Sequence, residues 1–391
     1  MGGLHDDPLT EVRAGKTRLG FVTWDRDVPT GGNVYNEAVV SELRALGVDV
    51  RLHTLAGSWP EGDASTHAEL ARALRTAPTS LVDGIVACGA PDVIAAAVDS
   101  GHVVTILLHL PISDELGLEP HRRERYSALE AGAMKVASGV LCSSRWSAAE
   151  LSRRYGRRDV GVAVPGATPA AVARGSPHAG PRRFLSLASL TPTKDQLTLV
   201  YALAQVAELP WTAALVGSDR ADADYAARLR AAVVAAGLGE RIRVPGMLVG
   251  QALEQEWDAA DLLVLPSRVE TYGLVIGEAL AHGIPAVVSA GTGAVEALQQ
   301  GATTPSGATP GTAIPAGDPS GLAEVMREWL TDPELRRAWR QAALARRDSL
   351  PGWGQTAGAV LDYLERPQPP SSTLAGSPFG SPPTPPRAPP Q

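Results

Sequence analysis

The sequence predicts an α/β protein made of two Rossmann-like, doubly wound domains that face each other across a cleft. Three observations predict it. Short apolar strands alternate with helical stretches from residue 18 to 365, a pattern that builds a parallel sheet covered on both faces. The alternation stops at a stretch rich in Pro, Gly and Ala, "VAVPGATPAAVARGSPHAGPRR" (162–183), and then restarts. The chain has 391 residues, more than the ~250–300 at which a single core stops growing.

The first half opens on the strand "RLGFVTW" (18–24) and the loop "DRDVPTGGN". A helical pattern, "VYNEAVVSELRALG", follows and ends at Gly47. "VDVRLHTL", "SLVDGIVACG", "VVTILLHLP" and "GVLCSS" read as further strands, with helices over 64–76, 121–137 and 145–156. The second half runs "RFLSLAS", a helix over about 194–207, "WTAALVGS", a helix over about 222–236, "IRVPG", "DLLVLPS", a helix over about 273–282, and "PAVVSA". Helices over 319–347, with a break at Asp332-Pro333, and over 354–365 close it. The expected division is a flexible start (1–17), a first domain (18–165), a linker (166–182), a second domain (183–347), a closing helix (348–365) and a disordered Pro- and Ser-rich tail (366–391).

Hydrophobic residues make up 44% and charged residues 20%, an ordinary globular balance. A net charge of −7 argues against nucleic acid as a partner. Cys88 and Cys142 each sit in an apolar run and read as small buried hydrophobes, neither a disulfide framework nor a metal site. A reducing, cytoplasmic setting fits them. The first residues carry no apolar leader core, Asp6 stands where a myristoylation start needs Ser or Thr, and no apolar run reaches the ~18–20 residues of a membrane span. Arginines cluster at "HRRERY" (121–126) and "SRRYGRRD" (152–159). A solvated face balanced by Glu119, Glu124, Glu150 and Asp159 is the preferred reading. A weak peripheral contact with anionic lipid head groups, or with a phosphorylated acceptor, is the alternative. Oligomeric state is not legible.

In open α/β sheets ligands bind outside the carboxyl ends of the strands. Here those ends are the loops after Trp24, Leu108, Ser189, Gly217 and Pro266. The most informative is "DLLVLPSRVETYGLVIGEALAHG" (261–283). A strand ends near Pro266, and a helix begins near Gly273. The amides of Tyr272, Gly273 and Leu274 would stand at that helix terminus, which attracts phosphate. Gly273 allows close approach. Thr271 and Glu270 lie on the loop before it, and Glu278 lies one turn inside the helix, where a carboxylate can accept from a ribose diol. Taken alone, the two glutamates read preferentially as a helix cap (Glu270) and a solvated charge (Glu278); their surroundings shift the balance. Lys194, in "SLASLTPTKDQLTL", is placed at a helix start where an ammonium can neutralise a diphosphate; alone, it is as readily a solvated lysine. Gly31-Gly32 opens the first helix and supplies a flexible turn and further amides. His109 ends an apolar strand at the cleft, as a rim residue or as a donor to a sugar hydroxyl.

With these motifs in place, the chain resembles the retaining family-4 glycosyltransferases of the GT-B fold over roughly 18–365. The E-x7-E pair, Glu270 to Glu278, carries the resemblance, with Thr-Tyr-Gly inside it, Gly-x-Pro after it and Glu296 in register. The "TGGNVYN" and "LTPTKDQ" loops are similar to an actinobacterial subgroup. The resemblance implies that Glu270 contacts donor-sugar hydroxyls, Glu278 holds the ribose, and Lys194 with the amides of Tyr272, Gly273 and Leu274 holds the diphosphate. It implies that Gly31 and Gly32 border the sugar, that His109 touches it near the reacting carbon, and that Gly246 and Met247 lie by the base. It further implies hexosyl transfer from a UDP- or GDP-linked donor to a hydroxyl acceptor, with no cofactor and no metal, and a last helix that braces the first domain. Two positions depart. Ser189 stands where many members carry Arg, and Arg268 is the neighbouring cation that could compensate. Thr292-Gly293 replaces a Gly-Gly pair.

Other readings stay open. A donor-binding protein with impaired turnover follows from Ser189, and a phosphorylase or epimerase could share the fold. Asp25-Arg26-Asp27 and Asp222-Ala223-Asp224 match a metal-holding D-x-D, but capping or solvation is preferred for them. A nicotinamide-binding G-x-G-x-x-G is missing after the first strand.

Overall fold

The computed structural model describes residues 18–25, 30–302 and 308–366. The expected flexible start (1–17), nearly all of the expected disordered tail (367–391) and Asp27 lie outside the described residues. The first half runs β1 (Arg18–Trp24), α1 (Gly31–Ala45), β2 (Asp49–Leu55), α2 (Ala64–Leu74), β3 (Thr79–Asp83), α3 (Gly84–Gly89), α4 (Pro91–Asp99), β4 (Val103–Leu108), α5 (Pro120–Val136), β5 (Gly139–Cys142), α6 (Arg145–Tyr155) and β6 (Val160–Val162). The second runs β7 (Arg182–Leu187), α7 (Gln196–Ala204), β8 (Trp211–Val216), α8 (Ala223–Ala235), β9 (Ile242–Gly246), α9 (Gln251–Ala259), β10 (Leu262–Leu265), α10 (Leu274–Ala281), β11 (Ala286–Ser289), α11 (Ala294–Gln299), β12 (Gly311–Ile314), α12 (Pro319–Thr331) and α13 (Pro333–Arg346); α14 (Trp353–Leu364) follows.

Two six-stranded sheets result, ordered β2-β1-β3-β4-β5-β6 and β12-β11-β10-β7-β8-β9. Their pairings are parallel. This is the two-domain α/β architecture that the alternating pattern predicts. Each sheet is apolar on both faces because helices cover both, so its central strands, such as "LLVL" of β10, are buried throughout.

The structure corrects three local expectations. "SLVDGIVACG" is not one strand. β3 ends at Asp83, whose carboxylate accepts from the Ile85 amide at 2.9 Å and caps α3. The helix expected from 194 begins at Gln196. Asp195 before it takes a left-handed backbone (φ 49°), so Lys194 lies on the preceding turn. The helix expected from 273 begins at Leu274, with Gly273 (φ 86°) as its cap residue.

Residues 163–181 contain no helix or strand, yet they are pinned along their length. Ala173 N–H donates to His282 O (3.0 Å), Gly175 N–H to Asp258 O (2.9 Å), and Arg347 Nη2 to Ala170 O (2.6 Å). α14 then lies against the first sheet. Ala357, Val360, Leu361 and Tyr363 share a core with Leu19, Phe21, Tyr35 and Val39. The Tyr363 hydroxyl accepts from Val140 N–H (3.0 Å) and donates to Asp159 O (2.8 Å). Replacing Tyr363 with Phe removes that acceptor from a buried amide. The expected loss is about 1–3 kcal/mol, read as a lower urea midpoint for the first domain's unfolding with an unchanged slope.

Candidate active site

The carboxyl ends of the two sheets face each other, and polar contacts join them. The α6 amino terminus meets the β10–α10 loop. Thr271 O accepts from the Ser144 hydroxyl (2.6 Å) and the Ser147 hydroxyl (3.2 Å). Glu296 accepts from Trp146 N–H at 3.2 Å, a carboxylate at a positive helix end. On the other side Thr193 Oγ1 donates to Glu115 (2.7 Å) and accepts from Leu116 N–H (2.9 Å).

Within the second domain, the β10–α10 loop is fastened to the turn after β7. Lys194 Nζ lies 2.6 Å from Glu270 Oε2, and Ser267 Oγ donates to the same oxygen at 3.3 Å. Both charges are largely buried, with side-chain exposures of 25% and 9%, which leaves the pair only slightly open to the cleft. Arg268 Nε donates to Asp195, and Arg268 N–H to Thr193 O (2.8 Å). Arg268 therefore contacts Thr193 and Asp195, the residues on either side of Lys194, but its charge is already met by Asp195. Gly293 N–H donates to Glu270 O (2.8 Å), and a Cβ on Gly293 would overlap Thr271 O. Thr292, in place of a second glycine, donates its hydroxyl to Ser289 O (2.8 Å) and so stabilises the turn.

α10 has no side-chain cap. Its first amides therefore form a positive terminus at the cleft. Gly273 is required there, because its backbone is left-handed and a Cβ would press on Ile276 (2.9 Å). The ring of Tyr272 is buried in the core, so that only its amide is placed to meet a ligand. Glu278 is half-buried on the second turn. Burial, and then the nearby Glu254 carboxylate, raise its pKa above the usual range.

The first domain presents His109 to the same region. Its ring lies against Gly32, where a Cβ would come within 2.9 Å of Cδ2, while a Cβ on Gly31 would sit 3.3 Å from Leu274 of α10. Behind the ring are two buried polar residues that the sequence reading missed. Asn36 Nδ2 donates to Asp83 Oδ2 (2.7 Å), which fixes the Asn36 amide, so its Oδ1 faces His109 Nε2 at 2.8 Å. Nε2 must then carry the proton. Burial lowers the His109 pKa, and Asp83, 3.8 Å away, opposes that shift only in part. Asn36 was detectable: it lies on the buried stripe Asn36, Val39, Val40, Leu43, as its one polar member.

Ser189 follows β7 and is half-buried; its carbonyl accepts from Gln196 Nε2 (3.0 Å). Gly246 (φ 83°) has open space around it, and Met247 is 47% exposed at the edge of the second sheet. Among the described residues no hydrogen bond joins these three to the Lys194–Glu270 pair. Asp222 caps α8 through Tyr225 N–H (2.8 Å). Among the described residues no three His, Cys, Asp or Glu side chains are grouped to hold a metal ion, and no helix is long and apolar enough to cross a membrane. Three arginines of the two clusters have acidic partners: Arg122 of α5 meets Glu61 and Tyr126, Arg154 of α6 meets Asp114 and Glu150, and Arg157, past the end of α6, meets Asp159.

Residues 172–346 match the family model described as glycosyl transferases group 1. Two relatives are the D-inositol 3-phosphate glycosyltransferase 1 of Catenulispora acidiphila, 34% identical over 37% of this chain, and the D-inositol 3-phosphate glycosyltransferase of Kineococcus radiotolerans, 32% identical over 47%. The matches span 32% and 44% of those relatives' own lengths. Among solved structures, a sucrose-phosphate synthase from Thermosynechococcus elongatus superposes with a TM-score of 0.72 at 21% identity, covering 88% of this chain and 98% of that one. Anabaena HepE, solved in complex with UDP-glucose, superposes with a TM-score of 0.67 at 18% identity, covering 88% and 99%. The chain thus has the GT-B fold, and its residues 172–346 are similar to the glycosyl transferases group 1.

Proposed function

We propose that this protein is a retaining glycosyltransferase, which moves a hexosyl unit from a UDP- or GDP-linked sugar to a hydroxyl acceptor without a metal ion. One observation carries the reading: Lys194 and Glu270 lie 2.6 Å apart beside the uncapped terminus of α10, across the cleft from His109. The likeness to D-inositol 3-phosphate glycosyltransferases supports glycosyl transfer, and the UDP and UDP-glucose complexes of HepE support a nucleotide-sugar donor.

In this reading the bond between the anomeric carbon and the diphosphate oxygen breaks, and negative charge grows on the phosphate. Lys194 has further N–H donors besides the one on Glu270, and the α10 amides are preorganised, so both stabilise that charge. Glu270 Oε1 has no hydrogen-bond donor among the described residues and accepts from the sugar hydroxyls. The acceptor oxygen attacks from the face the phosphate leaves, and the departing phosphate takes its proton. The products are a glycoside and a nucleoside diphosphate. Neutral His109, held by Asn36, presents its ring to the sugar without adding charge to the oxocarbenium-like state. Closure across the Thr271 and Thr193 contacts excludes water. Ser189 leaves the diphosphate to Lys194 and the amides, since Arg268 is engaged by Asp195.

The ribose role of Glu278 gives the test. A buried, ionised Glu278 costs stability above its raised pKa, and that cost fades as pH falls through it. Glu278→Gln is therefore expected to melt no lower than the wild type at pH 7.5 without ligand. A nucleoside diphosphate at ~100 times its dissociation constant adds ~2.7 kcal/mol to the wild type, and the variant is expected to lose that gain. Thermal unfolding with UDP, GDP and their sugars reads both effects, and a stabilisation kept by the variant contradicts the assignment.

His109 gives a second expectation. Its folded pKa lies below the unfolded ~6.5, so its contribution to stability is complete above ~6.5 and is lost as pH falls from there toward the folded value. Ring-proton NMR is expected to show His109 titrating below 6.5. Titration above 6.5 would contradict the neutral tautomer.

A further inference from the structure

We infer that Asp83 and Asn36 are positioning residues that turn the bare Nδ1 of His109 to the cleft, so that the imidazole meets positive charge on the transferred sugar with the negative end of its dipole. This rests on the glycosyltransferase reading above and assigns the electrostatics of the first domain's side of the same cleft.

The relay begins at a backbone amide. Ile85 N–H donates to Asp83 Oδ1 (2.9 Å), and Asp83 Oδ2 accepts from Asn36 Nδ2 (2.7 Å). A carboxylate only accepts, so Asn36 turns its NH2 to Asp83 and its oxygen to His109. That oxygen lies 2.8 Å from Nε2, which therefore donates. Asp83 and Asn36 are each 3% exposed. Among the described residues no Arg or Lys pairs with Asp83. A buried carboxylate without a cation costs free energy, and Asn would cap α3 as well as Asp does. What the carboxylate adds is direction: it fixes which way the hydrogen bonds behind His109 run, where a neutral amide would leave them reversible.

The ring is held on one edge and open on the other. Gly32 lies against Cδ2, where a Cβ would come within 2.9 Å, and Tyr35 meets the ring edge-on at 5.1 Å. The covered edge is thus Cδ2–Nε2. Nδ1, on the opposite side, has no hydrogen-bond partner among the described residues and is not one of the buried polar atoms left without one. The side chain is 20% exposed and shares a cavity wall with Thr271 of the second domain. The Nδ1 lone pair therefore opens between the domains. In a neutral imidazole that lone pair is the negative end of the dipole and the N–H the positive end. A sugar that is losing its diphosphate gains positive charge. A fixed dipole with its negative end toward that charge favours the transition state over the bound donor. The other tautomer would aim an N–H at the same place and oppose the charge.

Asp83→Asn tests the relay. The new amide keeps its oxygen on the Ile85 N–H and turns its NH2 to Asn36. The Asn36 amide then reverses, its own NH2 faces Nε2, and the His109 proton moves to Nδ1. Ring-nitrogen NMR well above the usual His titration at ~6.5 reads the tautomer, and His109→Gln identifies the signals by their loss. The wild type is expected to show a protonated Nε2 and a bare Nδ1, and Asp83→Asn the reverse. With UDP-glucose, or whichever nucleotide sugar is turned over, kcat of this variant is expected to fall at least about tenfold, with little change in the donor KM. A nucleotide-induced rise in Tm shows that it is folded. Adding Asn36→Asp to Asp83→Asn returns an acceptor-only group to Nε2, and is expected to restore the tautomer and most of kcat. A wild-type His109 protonated on Nδ1, a tautomer that Asp83→Asn leaves unchanged, or a kcat that survives the reversed tautomer overturns the inference. So does a double variant that regains the tautomer without regaining kcat. If the wild type transfers no sugar from any nucleotide donor, the glycosyltransferase reading fails and the electrostatic role falls with it, while the ring spectra still decide whether Asp83 and Asn36 set the tautomer.

Discussion

The carbonyl oxygen of Thr271 accepts two serine hydroxyls from the opposite domain, and the cleft depends on this contact. Thr271 sits between Glu270 and Gly273, on the loop that carries both Glu270 of the ion pair and the uncapped terminus of α10. Fixing its carbonyl fixes that loop against the first domain. Glu296 holds the same seam from the other side, with its carboxylate at the head of α6. Because both contacts are polar and solvent can replace them, the domains can part and rejoin at modest cost. A mostly apolar seam would resist opening more strongly.

The site also holds charge under tension. Glu278 is half-buried beside Glu254, and burial holds its pKa up. Lys194 and Glu270 satisfy each other, while Asp195 keeps Arg268 occupied. A ligand that brings two hydroxyls to Glu278 and a diphosphate to Lys194 would relieve these groups. Sites that trade stability for binding have this character.

Much of the fold was legible because strands and helices here differ in length and punctuation. The parallel α/β pattern appears in buried runs bounded by Gly, Pro and capping residues. "SLVDGIVACG" misled because α3 has only six residues and is almost wholly buried, so periodicity cannot separate it from a strand. Glu270, Glu278 and Lys194 stand out in the sequence through their motifs. The structure brings Lys194 and Glu270 together from 76 positions apart. Asn36 is marked in the sequence as the polar member of an apolar stripe, but its partner Asp83, 47 positions away, is not. Ser144 caps α6 locally. Its second contact, with Thr271, depends on how two separate sheets face each other.

The central claim is that Lys194 and the α10 terminus hold a diphosphate. A crystal structure with the nucleoside diphosphate that binds most tightly tests it directly. The account expects phosphate oxygens within hydrogen-bond distance of Lys194 Nζ and the amides of Gly273 and Leu274, with the ribose diol on Glu278. A nucleotide bound elsewhere, or a phosphate that leaves those amides and Lys194 untouched, would contradict it.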